Sequence, residues 1–169
     1  MSSEELLKIK KKLGKYLKRD GVVDIVLFGS FVKGKALPKD VDIVVIGEKI
    51  KIEGFHVSYL SLEDFLIKPP MLVKTILKEG YSLKYDKPFS ARFGYLSRSL
   101  YKYDLKGMDA SSKVKIVNFL RGEKGLVIER KGEWIANQVF VVPVSEDHVF
   151  EKFFINMKVK FKKWDLLMH

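Results

Sequence analysis

Cysteine is absent from this 169-residue chain, and so are long apolar runs. Without cysteine the chain can hold no disulfide framework and no thiolate metal site. No apolar run approaches the roughly 20 residues that a membrane-spanning helix needs. The first twenty residues also lack the continuous apolar segment of a secretory signal. These absences predict a cytoplasmic protein that does not cross a membrane.

Acidic residues are the minority among the charged side chains. The chain has 21 Asp and Glu against 32 Lys and Arg, which gives a formal net charge of +11. Residues 1–87 carry 17 basic and 12 acidic side chains, and residues 88–169 carry 15 and 9, so the excess is not a basic tail. A field of this sign attracts polyanions such as nucleoside triphosphates, nucleic acid or an acidic protein partner. Solubility alone is the other interpretation.

Helical and strand-like patterns alternate along the chain and predict an α+β fold with two small domains. The first domain is expected over residues 1–87 and opens with a lysine-rich amphipathic helix. Three apolar, β-type segments follow, at Val22–Phe28, Val41–Ile46 and Phe55–Ser61. The sequence from Ser61 resembles a capping box and predicts a helix, which Pro69-Pro70 interrupts.

The second half predicts a small α+β domain over residues 88–169, after a linker near residues 85–90. Strands are expected at 96–105, 139–142 and 159–166. A Lys131-Gly132 pair indicates the turn of a hairpin, and Ser145 is expected to cap the last helix. Binding of an acceptor molecule or of nucleic acid is the role suggested for this domain.

The stretch VLFGSFVKGKALPKDVDIVV carries the main chemical signal. Asp40 and Asp42 lie two residues apart at the entry to a strand, so their side chains point to one face. Neighbouring carboxylates repel each other unless they face water or share a cation, and all-oxygen ligands suit Mg²⁺ or Mn²⁺. Alone, such a pair is often only a polar strand end.

Gly29-Ser30 ends the preceding strand and complements the paired aspartates. Glycine lets the backbone approach a phosphate closely, and Ser30 supplies a hydroxyl and a main-chain N–H. Lys33 and Lys35 in the following loop would attract a pyrophosphate group. A Gly-Ser turn alone is common, but the combination predicts a cation-bound triphosphate and in-line displacement at its α-phosphorus.

GSFVKGKA followed by DVDIVV resembles the signature of the polymerase-β-like nucleotidyltransferase superfamily, most closely its minimal nucleotidyltransferases. The family pattern is Gly-Ser, a variable pair, Arg-Gly, a loop and Asp-x-Asp, and here Lys33 stands at the arginine position. The resemblance covers residues 22–86. It implies a short mixed sheet packed on helices, Mg²⁺ held by Asp40 and Asp42, and triphosphate oxygens held by Gly29 and Ser30.

The resemblance implies transfer of a nucleoside monophosphate to a hydroxyl on RNA, a protein or a small molecule. The family's third carboxylate lies on the third strand, where the alignment of HVSYLSLEDF places Ser58. Serine is a poor metal ligand and cannot act as a base near neutral pH. His56 on the same strand face could be a neutral catalytic base, and Glu53 is another candidate. An ordinary strand histidine is the competing interpretation of His56.

Replacement of the third carboxylate leaves alternatives to an active enzyme. A catalytically weak or inactive member could hold nucleotide or RNA as a binding module. An antitoxin-like subunit that binds a protein partner is a further hypothesis, because the implied family includes such antitoxins.

Two basic segments in the second half suggest contact with nucleic acid. Lys158, Lys160 and Lys162 alternate along a predicted strand and could follow a phosphate backbone. An edge strand protected by lysine is the other interpretation. Tyr101 and Tyr103 are interleaved with basic residues, as in base-stacking surfaces, although strand tyrosines are also ordinary packing residues.

Overall fold

The computed structural model describes residues 3–32, 41–122 and 124–169. The chain divides into two compact units, one ending at Tyr95 and one spanning Leu96–Met168. The helices of the first unit are α1 (Ser3–Leu17), α2 (Leu62–Leu66), α3 (Met71–Glu79) and a 3₁₀ helix (Phe89–Phe93). Its strands are β1 (Val22–Phe28), β2 (Asp42–Gly47), β3 (His56–Leu60), β4 (Tyr81–Ser82) and β5 (Lys87–Pro88).

The first unit is built around a mixed sheet with strand order β3-β2-β1-β4-β5. Strand β1 pairs antiparallel with β2 and β4, whereas β2 pairs parallel with β3. Residues of α1 pack on one face of the sheet, where they meet Ile25 and Ile43. Residues of α3 pack on the opposite face with Val26 and Val44. The central strands are mostly apolar because both of their faces are buried, with Asp24 and Asp42 as the exceptions, and the expected mixed sheet with flanking helices is confirmed.

The linker expected near residues 85–90 is wrong. Strands β4 and β5 pair in this region, and the 3₁₀ helix carries Phe89 into the core beside α3. Phe89 is almost fully buried and meets the ring of Phe65 edge-on at 6.0 Å between centroids. The burial of Phe89 therefore determines the structure of this segment despite the turn-forming residues around it, and the segment belongs to the first unit.

A buried carboxylate fastens this segment to β1. Asp24 is fully buried, accepts a hydrogen bond of 2.7 Å from the Ser82 hydroxyl and pairs with the Arg92 guanidinium at 3.1 Å. The backbone N–H groups of Ile25 and Lys84 also donate to it, at 2.8 and 3.3 Å. Burial raises the pKa of Asp24 above its ordinary value, and the hydrogen bonds and Arg92 oppose that shift.

The second unit contains three α-helices among the described residues, α4 (Ala110–Arg121), α5 (Leu126–Glu129) and α6 (Asp147–Asn156), and a short 3₁₀ helix (Val144–Glu146). Its strands are β6 (Leu96–Asp104), β7 (Glu133–Ala136), β8 (Val139–Pro143) and β9 (Lys160–Met168). They form a sheet of order β7-β8-β6-β9 in which every neighbouring pair is antiparallel. With α5 as a short addition, the chain order is β-α-β-β-α-β, the ferredoxin-like arrangement.

The core of the second unit lies between its sheet and its helices and is rich in aromatic rings. Tyr101 and Tyr103 on β6 are 0% and 2% exposed and pack with Phe140, Phe150 and Phe154. The suggestion that these two tyrosines stack on bases is therefore wrong, because their rings face the helices. Within the described ranges, no helix of the chain is both long and apolar enough to cross a membrane.

Two local predictions in the second half also fail. Leu126–Glu129 is a helical turn whose Val127 lies in the core, so the hairpin instead connects β7 and β8 through Asn137 and Gln138. Gln138 takes the left-handed backbone conformation that this tight connection requires. Ser145 does not cap α6, because a short 3₁₀ helix, Val144–Glu146, leads directly into it.

Candidate functional site

One edge of the first sheet brings together the ends of three strands. The carboxyl end of β1 lies beside the start of β2, since these strands are antiparallel, and β3 starts at the same level because it is parallel to β2. In the strand register Asp42 is directly opposite Phe28 on one side and His56 on the other. The chain segment that follows Phe28 is Gly29-Ser30, so the predicted phosphate-binding turn and Asp42 share this edge.

Gly29 approaches the Asp42 carboxylate more closely than any other residue type could. Its φ of +76° lies in the left-handed region, which side chains with a Cβ avoid. A Cβ placed on Gly29 would lie 2.7 Å from Oδ2 of Asp42. The left-handed φ and the nearness of the carboxylate oxygen both favour glycine here, and the Gly29 backbone forms one wall beside the carboxylate.

The turn after β1 is anchored by an aromatic residue. Gly29, Ser30 and the two residues after them have turn conformation. Phe31 is buried in the cluster that also contains Leu13 of α1 and Ile43 of β2. This contact fixes the direction of the chain just after Ser30, so it positions the Gly-Ser turn without touching a ligand itself. The sequence signal was an apolar aromatic residue directly after the motif.

Asp42 and His56 are hydrogen-bonded side chain to side chain. The distance from His56 Nδ1 to Asp42 Oδ1 is 2.9 Å, and the two side chains are 74% and 29% exposed. An ionised carboxylate only accepts, so Nδ1 must carry the proton in this contact. In a neutral imidazole the other nitrogen, Nε2, then keeps its lone pair. The arrangement can accept a proton at Nε2 while Asp42 orients the ring.

His56, and not Ser58, is the β3 side chain at the level of Asp42. Ser58 lies opposite Val44, one residue pair further along the same face. Glu53, the other candidate base, is in the loop before β3, is 82% exposed and pairs with Lys51 at 3.5 Å. Strand register alone places His56 beside the carboxylate, and this could not be read from the one-dimensional alignment.

Asp40 and Lys33 lie outside the described residues. Of the predicted site residues, Gly29, Ser30, Asp42 and His56 are described, and they come together at the single edge defined above.

The part of the chain that forms this edge matches a known family. Residues 6–87 match the family model of the nucleotidyltransferase domain. This segment, 82 of the 169 residues, is therefore similar to nucleotidyltransferase domains. No curated protein matches the chain. The match begins within α1 and ends at β5, so it extends the resemblance noted in the sequence toward the N-terminus, and it does not cover the second unit.

The matched segment offers a carboxylate suited to a divalent cation. Domains of this family generally use a nucleoside triphosphate together with such a cation. Within the described residues there is no group of three or more acidic, histidine or cysteine side chains placed to hold a metal. Mg²⁺ needs only one or two protein carboxylates and takes its other ligands from water and phosphate. Partly exposed Asp42, next to backbone that a phosphate can approach, fits that requirement.

Proposed function

We propose that the matched segment transfers a nucleoside monophosphate from a nucleoside triphosphate to a hydroxyl group, with Mg²⁺ or Mn²⁺ as cofactor. The acceptor classes that fit the family are RNA, a protein and a small molecule. The observation that supports this proposal best is the convergence of Gly29, Asp42 and His56 at one edge of the sheet. The family match supports the general reaction type.

Each site residue has a defined role in this proposal. Asp42, together with Asp40, would hold the cation through carboxylate oxygens. When bound, the cation offsets negative charge on the attacking and leaving oxygens of the displacement. Gly29 and Ser30 would direct backbone N–H groups and a hydroxyl at phosphate oxygens, and Lys33 would add positive charge near the leaving pyrophosphate.

His56 supplies the proton acceptor that the missing third-strand carboxylate would otherwise provide. Its Nδ1 proton is directed at Asp42, so the lone pair on Nε2 is available to an incoming hydroxyl. Its high exposure leaves room for an acceptor molecule to approach. The hydrogen bond to Asp42 restricts rotation of the ring and thereby keeps Nε2 aimed away from the carboxylate.

A direct test is incorporation of label from each of the four α-labelled nucleoside triphosphates into RNA, into added protein and into the protein itself. Reactions should contain Mg²⁺ or Mn²⁺, and parallel reactions should contain chelator. Replacement of the proposed ligand in Asp42→Asn should reduce incorporation by at least about 100-fold. Asp20→Asn makes the same charge change at the opposite end of β1 and should retain full activity. Absence of incorporation with every nucleotide and metal would refute the transfer activity.

A second candidate function is a nucleotide-binding or partner-binding module with little or no transfer. The specific observation in its favour is that β3 places a histidine, and no carboxylate, opposite Asp42. In that case triphosphate and Mn²⁺ together should raise the melting temperature, Asp42→Asn should abolish the effect, and no label should be transferred. An antitoxin-like role would instead require a protein partner and would be detected by co-purification with it.

A further inference from the structure

Among the described residues, no helix of the second unit packs on one face of its sheet. Helices α4 and α6 contribute their buried residues to the core on the side of Tyr101 and Phe140. In an antiparallel sheet, residues directly opposite each other share a face. The register therefore assigns the following side chains to the other face: Leu96, Arg98, Leu100, Lys102 and Asp104 of β6, and Lys160, Lys162, Trp164, Leu166 and Met168 of β9. We call this set the outer face.

The outer face carries an excess of positive charge that the described residues do not neutralise. Lys102 and Lys162 are directly opposite each other on neighbouring strands, an arrangement that is destabilising for like charges. Among the described carboxylates, none forms an ion pair with Lys102, Lys160 or Lys162. Asp104, the one carboxylate of the outer face, lies directly opposite Lys160 and accepts a hydrogen bond of 2.8 Å from the backbone N–H of Lys106, so the lysines and Arg98 still outnumber it. An anion bound between the strands would relieve this repulsion.

Trp164 is the aromatic residue of this set, and it is available to a ligand. Its side chain is 45% exposed and lies opposite Leu100 in the register. The other tryptophan, Trp134, packs in the core with its ring 5.2 Å from that of Phe140, and Arg121 stacks on it at 4.2 Å. Within the described ring contacts Trp164 has no aromatic or cationic partner. A large flat ring beside a row of lysines is the combination that stacks a base and holds its phosphate.

We propose that the outer face binds single-stranded nucleic acid, with Trp164 stacking on a base and Lys102, Lys160 and Lys162 contacting phosphates. Alternate residues on β9 are about 6.6–6.8 Å apart, so Lys160 and Lys162 form a row along the strand. The phosphate backbone of a nucleic acid can run beside this row. The proposal concerns the second unit and does not depend on the proposed transferase reaction.

Charge and shape favour single-stranded nucleic acid over a second copy of the chain and over double-stranded nucleic acid as the ligand of the outer face. A second copy of the chain docked through the same face in a two-fold dimer would bring two sets of lysines against each other. Double-stranded nucleic acid hides its base faces within the stack, so Trp164 could not contribute. A single strand offers both the negative charge and the accessible base faces that the outer face requires.

The test is fluorescence anisotropy of labelled 12-nucleotide oligouridine and oligothymidine, titrated with the full-length protein over a range of salt concentrations. A labelled 12-base-pair duplex and a poly-glutamate peptide of similar charge are tested in parallel, as representatives of the two alternative classes of ligand. Tighter binding of the single strands than of the duplex and the peptide is expected. Comparison of the two single strands separates an RNA ligand from a DNA ligand. Equal or tighter binding of the duplex or the acidic peptide would overturn the proposal.

Matched variants locate the binding surface. Lys160→Ala/Lys162→Ala should weaken binding and reduce the slope of log K against log salt by about 1.4, because two phosphate contacts are lost. Lys115→Ala/Lys152→Ala removes the same charge from exposed positions on α4 and α6 and should leave the slope unchanged. Equal effects of both double variants would show that only the general field attracts the oligonucleotide, which contradicts the proposal.

Trp164 is tested separately, by substitution and by its own fluorescence. Trp164→Leu keeps an apolar side chain but removes the stacking surface, and it should weaken binding about 5- to 100-fold, whereas Trp164→Phe should lose less. In a Trp134→Phe background, oligonucleotide should quench the remaining tryptophan emission. Unchanged affinity of Trp164→Leu, or a dimer in sedimentation that this variant dissociates, would assign the face to another role.

Discussion

Substitution of Gly29 by alanine tests whether its close approach to Asp42 is needed for ligand binding. The effect of backbone strain alone can be measured at a second glycine. The added Cβ would lie 2.7 Å from Oδ2 of Asp42, so the carboxylate must retreat by about 0.7 Å to restore an ordinary contact of 3.4 Å. The left-handed conformation costs a residue with a Cβ about 1–2 kcal/mol. Gly54→Ala is a matched control, because its φ is +79° and a Cβ there meets no atom of the described residues within 4 Å. Both variants should therefore lose similar stability.

The two variants should differ in the binding of metal and triphosphate. Metal ligands must stay within about 0.2 Å of their ideal distances, and a misplacement of about 1 Å can cost 100-fold. At a ligand concentration 100 times Kd the wild type should gain about 2.7 kcal/mol of stability. A 100-fold weaker Gly29→Ala should gain only about 0.4 kcal/mol under the same conditions.

The assay is thermal unfolding of each variant with and without Mn²⁺ and triphosphate. Strain alone should lower the melting temperature by about 2–8 °C in both variants, since 1 kcal/mol corresponds to about 2–4 °C for a chain of this size. Gly54→Ala should keep the full ligand-induced increase and Gly29→Ala should lose most of it. Equal ligand-induced increases in the two variants would refute the reasoning.

Four other predictions concern the same unit. Asp24→Ala should lose about 3 kcal/mol in urea unfolding, because it leaves the buried end of Arg92 without its carboxylate, whereas Asp24→Asn keeps an acceptor oxygen and should lose less. Burial raises the pKa of Asp24, so the native state keeps the Asp24 proton above pH 3.8, where the unfolded chain has lost it. The stability that comes from this retained proton is lost as pH rises through the native pKa. The stability of the wild type relative to Asp24→Asn should therefore increase as pH falls from 7 to 4, and a flat difference would contradict this. Phe31→Ala should cost about 3–5 kcal/mol and weaken metal-dependent triphosphate binding, and Phe31→Leu should restore most of both. His56→Gln should lower transfer about 100- to 10,000-fold with unchanged triphosphate binding, as measured by label incorporation and thermal shift; an unaffected rate would exclude His56 as the base.

Much of the first unit follows from local sequence because its signals are local. The β-branched run Val22–Phe28 is a strand with the expected limits, and Ser61 forms the expected capping box with Asp64. The segment around Phe89 could not be placed from composition, since its burial depends on contacts with β1 and α3 that are distant in sequence. Asp24 was overlooked for the same reason: its partners Ser82 and Arg92 come from far along the chain.

The candidate site was predictable in part. The Gly-Ser and aspartate motifs identified two of the strands that meet at the edge, because motif spacing and strand alternation depend only on the sequence. The assignment of the third strand required register, which pairs Asp42 with His56 and places Ser58 two residue pairs away, opposite Val44. In the second unit, alternation correctly separated the lysines of β9 from Phe161, but it could not tell which face the helices cover, and so it could not decide between base stacking and core packing for Tyr101 and Tyr103.

The most direct measurement is the anomalous diffraction of a crystal soaked with Mn²⁺ and a nucleoside triphosphate. The account predicts an anomalous peak in contact with the Asp42 carboxylate, with triphosphate density against the backbone of Gly29 and Ser30. A peak elsewhere, or triphosphate bound away from this edge of the sheet, would contradict it.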